Sequence, residues 1–387
     1  MRKIILLTFN IFIILTLASC NLFVKKSETQ INILDEVNRI KEKSNCAVIK
    51  PINFNTDDIL LYIRRPITLE SLIYKANIKN SSIDLIKKFS GEYKFITAIH
   101  YSNNDNKVYV GIYSEVPYQK QKEMPPSYLL KLNTNMEIED SVKVDYEISN
   151  FFEVGQKIYI ECNTEHIHNR GNTNNKIMRE LDKDDLSLNE IENKYIIYES
   201  YKTTNGNTVL IKVEREDVEK LESTENAVDV IAEIVDKNEK VIKSEYVKKV
   251  YPYNIVFTEL SNGSIVFNLQ KGHHMDLRNQ IYVFEKNNQN YELIHKKNIK
   301  LPNSFVFSGI IENDNGLGIL ISELELYEGK NEILLYDNNF NKLLKKYEID
   351  NTSGLILTSQ VNKINGKTIL IFDNGDYIKI GEINLEE

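Results

Sequence analysis

An all-β fold, a β-propeller of seven four-stranded blades, is what the spacing of turn residues in this 387-residue chain predicts. Three observations carry that expectation. The body is made of short alternating apolar runs broken by Asn, Asp and Gly, and no long segment of helical period interrupts them. Asn-Gly or a close substitute recurs at Asn55-Thr56, Asn103-Asn104, Val154-Gly155, Asn205-Gly206, Asn262-Gly263, Asn315-Gly316 and Asn365-Gly366, a pitch of about 50 residues that suits a repeat array. A second series, Asn80, Asn133, Asp182, Asp236, Glu285 and Asp337, interleaves with the first at the same pitch. Asn and Gly tolerate the positive φ of a tight hairpin. Two hairpins per repeat make four strands, and such a blade buries both of its faces only by stacking on neighbours in a closed ring. The seven turns of the first series set the blade number. Two β-sandwich domains, the alternative, leave the even spacing without a cause.

The strands themselves follow. Lys107–Tyr113, 157–162 and 264–269 alternate apolar and polar side chains and read as strands with one buried face. Cys162 alternates with Ile158 and Ile160, so it is expected to be an inert core thiol. Cys46 opens the first blade, and a bridge between it and Cys162 would need blades 1 and 3 to touch. The last repeat reads as three strands, over 354–365, 367–373 and 377–385, and lacks an outer fourth. Residues 30–36 are expected to supply it as an extended strand that closes the ring, with a short amphipathic helix as the alternative for this stretch.

Ahead of the body lies a different pattern. Arg2 and Lys3 precede an apolar run over residues 4–17, followed by Leu17-Ala18-Ser19-Cys20. An aliphatic residue, two small residues and a Cys in this place resemble the lipobox of bacterial lipoproteins. The resemblance implies a signal peptide over 1–19, a diacylglyceryl group on the Cys20 sulfur, cleavage before Cys20 and acylation of the new amino terminus. Residues 20–45 then form a lipid-anchored tether that contributes the closing strand, and 46–387 the propeller. A retained membrane helix is the alternative reading of the first segment.

Charge and cysteine content exclude several function classes. The formal charge is −8, and loss of Arg2 and Lys3 with the signal makes it more negative. Such a chain lacks the basic footprint that phosphate backbones require, so no nucleic-acid partner is expected. Three cysteines make neither a disulfide framework nor a four-thiolate zinc site. G-x-S-x-G, H-E-x-x-H, P-loop and Rossmann patterns are missing, and carboxylate pairs such as Glu139-Asp140 and Asp184-Asp185 sit at turns or on outer strands. No cofactor and no catalysis are expected.

Functional weight therefore falls on the connections. In a blade of strands A to D, the A–B and C–D turns share one face, and both are tight here. The B–C connections lie on the other face and are long: 117–126, 163–175, 215–226, 271–278 and 325–331. Insertions on one face of a repeat array mark a binding face. Tyr118, Met124, Arg170, Met275 and Arg278 are the candidate partner-binding residues, being the aromatic, Met and Arg side chains able to anchor an interface. His166, His168, His273 and His274 fall on the same face. They read as solvated loop histidines rather than metal ligands, because blades 3 and 5 are not neighbours. The acidic net charge implies a salt-sensitive encounter with a basic partner surface.

A lipobox on a propeller body looks like the envelope propeller lipoproteins, among them the propeller subunit of the outer-membrane β-barrel assembly machine. The Ile, Asn and Lys usage is similar to that of spirochaetal lipoproteins, some of which are displayed on the cell surface. The likeness is architectural, without shared motifs, and this chain contains no Trp. It implies a lipid-anchored, non-enzymatic scaffold in the cell envelope, in the outer membrane, engaging a protein partner. Binding of a host or extracellular ligand, and an enzyme with its site in the central funnel, are the alternatives.

Overall fold

The computed structural model describes residues 34–37, 47–53, 58–65, 70–77, 82–91, 93–114, 126–164, 176–192, 194–224, 226–271, 278–288, 290–301, 305–313, 316–323, 330–349, 355–356, 362–364, 367–373 and 378–383. Six four-stranded antiparallel sheets succeed one another, each with its strands in chain order. The first holds β2–β5 (Ala47–Asn53, Asp58–Arg65, Glu70–Asn77, Ser82–Phe89) and the second β6–β9 (Phe95–Ser102, Lys107–Tyr113, Ser127–Leu132, Ile138–Val144). The third holds β10–β13 (Glu147–Val154, Lys157–Asn163, Lys176–Leu181, Leu188–Glu190) and the fourth β14–β17 (Tyr195–Lys202, Thr208–Glu214, Val228–Val235, Val241–Val250). The fifth holds β18–β21 (Phe257–Glu259, Ile265–Lys271, Arg278–Asn287, Asn290–Lys300) and the sixth β22–β25 (Phe305–Asn313, Gly316–Glu323, Asn331–Tyr336, Leu343–Glu348).

A further sheet joins distant parts of the chain. β26 (Leu355–Ile356) and β27 (Asn362–Ile364) both pair with β28 (Lys367–Asp373), so together they fill the place of one inner strand. β28 pairs with β29 (Ile378–Ile383), whose other edge takes β1 (Leu34–Val37), with Leu34 opposite Glu382 and Val37 opposite Ile380. The stretch expected as a closing strand over 30–36 is thus extended at 34–37. The inner strand of this repeat, expected as one run, is broken.

In the second to sixth sheets the second strand is largely buried and the fourth is the least buried. In β7 Tyr109 and Val110, neighbours on opposite faces, are both fully buried. The expectation of one buried face is therefore corrected: the second strand of a repeat is covered on both sides, because a neighbouring sheet lies on each. Large side chains interlock across these interfaces. Tyr201 of the fourth sheet stacks on Phe257 of the fifth at 5.8 Å, and within the fifth sheet Phe267 meets Phe257 and Phe284, each at 5.6 Å. The fourth strands are exposed instead. Each of the pairings β4·β5, β8·β9, β16·β17, β20·β21 and β24·β25 contains a register shift. Four of these outer strands carry a lysine doublet, Lys87-Lys88, Lys248-Lys249, Lys296-Lys297 and Lys345-Lys346.

Turn chemistry explains both residue series. Asn133, Asp182, Asp236 and Asp337 each start a third-to-fourth-strand turn by accepting backbone N–H groups of following residues on the side-chain oxygen. Late in these turns, Met136, Leu186, Glu239 and Phe340 take positive φ, and Met136, Leu186 and Phe340 are buried as plugs. Glu285 does not belong to the series. It lies inside β20, paired with Glu292, and the turn comes after Asn287, with Asn288 at φ 59. In the first series Gly155, Gly206 and Gly263 take positive φ. Asn55-Thr56, Asn315 and Asn365-Gly366 lie outside the described residues.

The segment expected as an acidic loop over 215–226 is corrected too. Arg215–Thr224 is a helix, α1, whose Val218 and Leu221, one turn apart, are both buried in the core of the fourth sheet. Glu216 and Asp217 occupy its first turn, where they complement the helix dipole.

Candidate functional site

The two ends of the array differ in chemistry. At the tight-turn end, several of the described turns are tied to a neighbouring sheet. Asn104 donates to the Gly155 carbonyl at 2.8 Å, and Tyr159 donates to Glu239 at 2.7 Å. The Thr204 N–H and hydroxyl donate to Glu259 at 2.7 and 2.8 Å, and one repeat later the Ser261 N–H and hydroxyl donate to Glu312 at 2.8 and 2.7 Å. A carboxylate at the end of one sheet's inner strand thus caps the preceding sheet's first turn, twice in succession.

Just inside this end, the inner strands of three consecutive sheets are bridged by charge. His100 Nε2 of β6 lies 3.0 Å from Glu153 of β10, and Lys202 Nζ of β14 lies 2.9 Å from its other oxygen. Burial alone would raise the Glu153 pKa, but the hydrogen bonds and charges of His100 and Lys202 outweigh it and hold the carboxyl below its usual 4.5. Beside this bridge, burial and the 2.6 Å bond to Asp105 raise the Tyr109 pKa. Glu153 is held on one oxygen by the His100 ring and on the other by the Lys202 ammonium, which makes it a tie between sheets rather than an available base. The sign of its effect follows: ionised Glu153 stabilises the fold above the unfolded carboxyl pKa, and that stability is lost as pH falls through the lower folded value. Acid unfolding below about pH 4.5 should therefore be steep in the native chain. It should be shallower in Glu153→Gln, measured as Tm against pH; an identical acid limb in the two proteins would remove Glu153 as the cause.

The opposite end carries a recess of about 390 Å³ between the third, fourth and fifth sheets. Its walls are the start of β14 (Ile196 to Glu199), Glu161 with Lys176, and the link from Pro252 to Ile255. A bulge explains one wall. Ile197 pairs with Lys212 and Glu199 with Ile211, so Tyr198 falls out of the ladder and is re-aimed. The same irregularity recurs near the start of β2, β6, β10 and β22. Lys176 bridges to Glu161 at 3.3 Å and lies over the Tyr198 ring, while Ser149 donates to Glu161 at 3.0 Å. On the other side Tyr253 stacks on Tyr251 and stays more than a third exposed. The recess thus has aromatic walls and one fixed ion pair.

Of the sequence candidates, Arg278 is placed: it opens β20 at this end and is exposed. Cys20, Tyr118, Met124, Arg170 and Met275 lie outside the described residues, as do Cys46, His166, His168, His273 and His274. Cys162 is a free thiol, fully buried, and burial pushes its pKa up to about 12. Among the described residues no three His, Cys, Asp or Glu side chains come together as a metal site. Sequence reasoning missed Tyr198, Pro252 and Tyr253. The Tyr251-Pro-Tyr253 link between two repeats is a readable signal, since Pro and aromatics in a connection mark a shaped surface.

No family model matches this chain, and no curated protein matches it. Solved structures do resemble it. Drosophila Plexin A, in complex with Semaphorin 1b, superposes with a TM-score of 0.50 at 7% identity, covering 91% of this chain and 88% of that one. A PL25 polysaccharide lyase, an ulvan lyase, gives 0.50 at 8% identity over 90% and 96%. BamB from Moraxella catarrhalis gives 0.47 at 7% identity over 91% and 98%. At such identities the likeness is one of fold alone. Together with the succession of four-stranded antiparallel sheets, it makes the architecture β-propeller-like.

Proposed function

We propose that this chain is a lipid-anchored, non-enzymatic envelope protein that serves as an interaction scaffold, with outer-membrane protein assembly as its setting. In this reading the sheet containing β1 is the seventh blade, and β1 fastens the ring beside a tether that leads to lipidated Cys20. The partner is a protein, and it docks on the long-connection end.

The observation that carries the proposal is the asymmetry of the two ends. At the tight-turn end, turn donors and inner-strand carboxylates are consumed in bonds between sheets, which leaves short hairpins with little side-chain area. The other end offers an aromatic recess and exposed Arg278 and, in this reading, the long connections over 117–126, 163–175, 271–278 and 325–331. Buried aromatic and Arg anchors dominate protein interfaces. The ion-paired state of Glu153 supports a scaffold rather than an enzyme.

Affinity purification from membranes with mass spectrometry tests it. The triple variant Tyr118→Ala, Arg170→Ala and Arg278→Ala should fold normally, because exposed-loop changes cost little, and should lose the co-purifying partner. Retention of the partner by this variant, with loss on Ala substitution of Asn205, Asn262 and Asn315, would place docking at the tight-turn end and overturn the face assignment. Cys20→Ala should leave the precursor uncleaved and unlabelled by a palmitate analogue; normal labelling would refute the anchor. Protease added to intact cells decides between a periplasmic site and surface display.

A further inference from the structure

Five exposed cations gather at one side of the recess. Lys271 of β19, Arg278 of β20 and Lys300 of β21 stand in one row, Lys271 directly opposite Arg278 and Arg278 directly opposite Lys300. Side chains so paired lie on one face with Cβ atoms about 5 Å apart, and like charges in that relation destabilise a sheet. The row adjoins the recess through the backbone: Tyr251 and Gln270 exchange hydrogen bonds of 2.8 and 3.2 Å, which fixes the Tyr251–Tyr253 wall beside the end of β19. Lys248 and Lys249 of β17 lead directly into that wall. In a chain of net charge −8, five cations on one side of a recess form a cluster of the opposite sign. A partner touching this rim meets the local potential rather than the net charge, so the basic partner expected from composition does not suit it.

Resting on the docking reading above, we propose that this rim and recess together bind an acidic peptide segment of the protein partner, one in which an apolar or aromatic residue is flanked by carboxylates. The recess selects the central residue: Tyr198, Tyr253, Pro252 and Ile196 offer it apolar and aromatic surface. Glu161 and Glu199 on the inner wall repel a carboxylate from the recess and leave the flanking acids at the cationic row. Arg278 is the strongest element of the row, because its guanidinium matches a carboxylate in a two-pronged hydrogen bond. A flat anionic membrane surface fits less well, since it has no side chain to fill the recess.

Fluorescence anisotropy of the full-length lipidated chain in neutral detergent tests this, using a short labelled peptide with a central Phe between Glu residues. Binding should weaken steeply with salt, and the same peptide with Lys in place of Glu should bind at least tenfold more weakly. The triple variant Lys271→Glu, Arg278→Glu and Lys300→Glu should also lose at least tenfold, with an unchanged Tm. Tyr253→Ala should weaken the Phe peptide but not one with Gly at its centre. Equal binding of the peptide by the charge-reversed and native chains would overturn the proposal. So would binding of phosphatidylglycerol vesicles without binding of the peptide. If the partner still co-purifies through the long-connection end while the acidic peptide fails to bind, the acidic chemistry is refuted and the docking reading stands.

Discussion

Replacing Gly155 with valine should destabilise the protein by on the order of 3 kcal/mol and lower its Tm accordingly, from two effects that a companion variant separates. Gly155 takes φ +58, and a Cβ there would lie 2.6 Å from the Lys237 carbonyl of the next sheet's turn. That oxygen belongs to backbone and cannot swing aside, so either the turn shifts or the third and fourth sheets part. Gly206 has the same kind of backbone, φ +84, but open space around its Cβ position. Gly206→Ala should therefore cost only about 1 kcal/mol, the conformational term by itself. Thermal unfolding of the two variants checks the difference. Equal losses would mean that the close approach between the sheets contributes nothing.

Removal of residues 28–37 should lower stability by several kcal/mol if β1 fastens the ring. β1 lies on the outer edge of β29, and a propeller-like array resists opening only as well as its last junction. The loss should spread to both neighbours of that junction, and amides of β28 and β29 should exchange faster with solvent. An unchanged Tm after the deletion would reduce this stretch to a tether.

The periodic turns were readable because their chemistry is local. An Asp or Asn oxygen that collects the N–H groups of the next few residues acts the same way wherever it sits, and a glycine at positive φ needs no partner. Glu285 shows the limit: spacing placed it in a turn, but the long hairpin of β20 and β21 carried the strand past it. Helix α1 went unread for a similar reason. Ten residues with two apolar positions look like an acidic loop until a sheet surface stands behind Val218 and Leu221. The His100–Glu153–Lys202 bridge and the Lys271–Arg278–Lys300 row join residues from different strands or sheets. Their members are tens of residues apart or out of phase in the sequence, so only the register reveals them. Arg278 could be picked out as a lone exposed Arg, but the company it keeps could not.

The lysine doublets and register shifts of the outer strands bear on what happens when many copies crowd together. Each outer strand ends a sheet with unpaired N–H and C=O groups, a template on which a second molecule could continue the ladder. The proposed lipid anchor would hold copies in a plane, raise their mutual concentration and bring rim to rim. Lysines along these edges, of which Lys88, Lys296 and Lys346 are ion-paired to the adjacent strand, disfavour the approach of a second edge, and the shifted registers spoil the straight run of acceptors that a new strand would need. A rim so built works against edge-to-edge pairing of crowded copies.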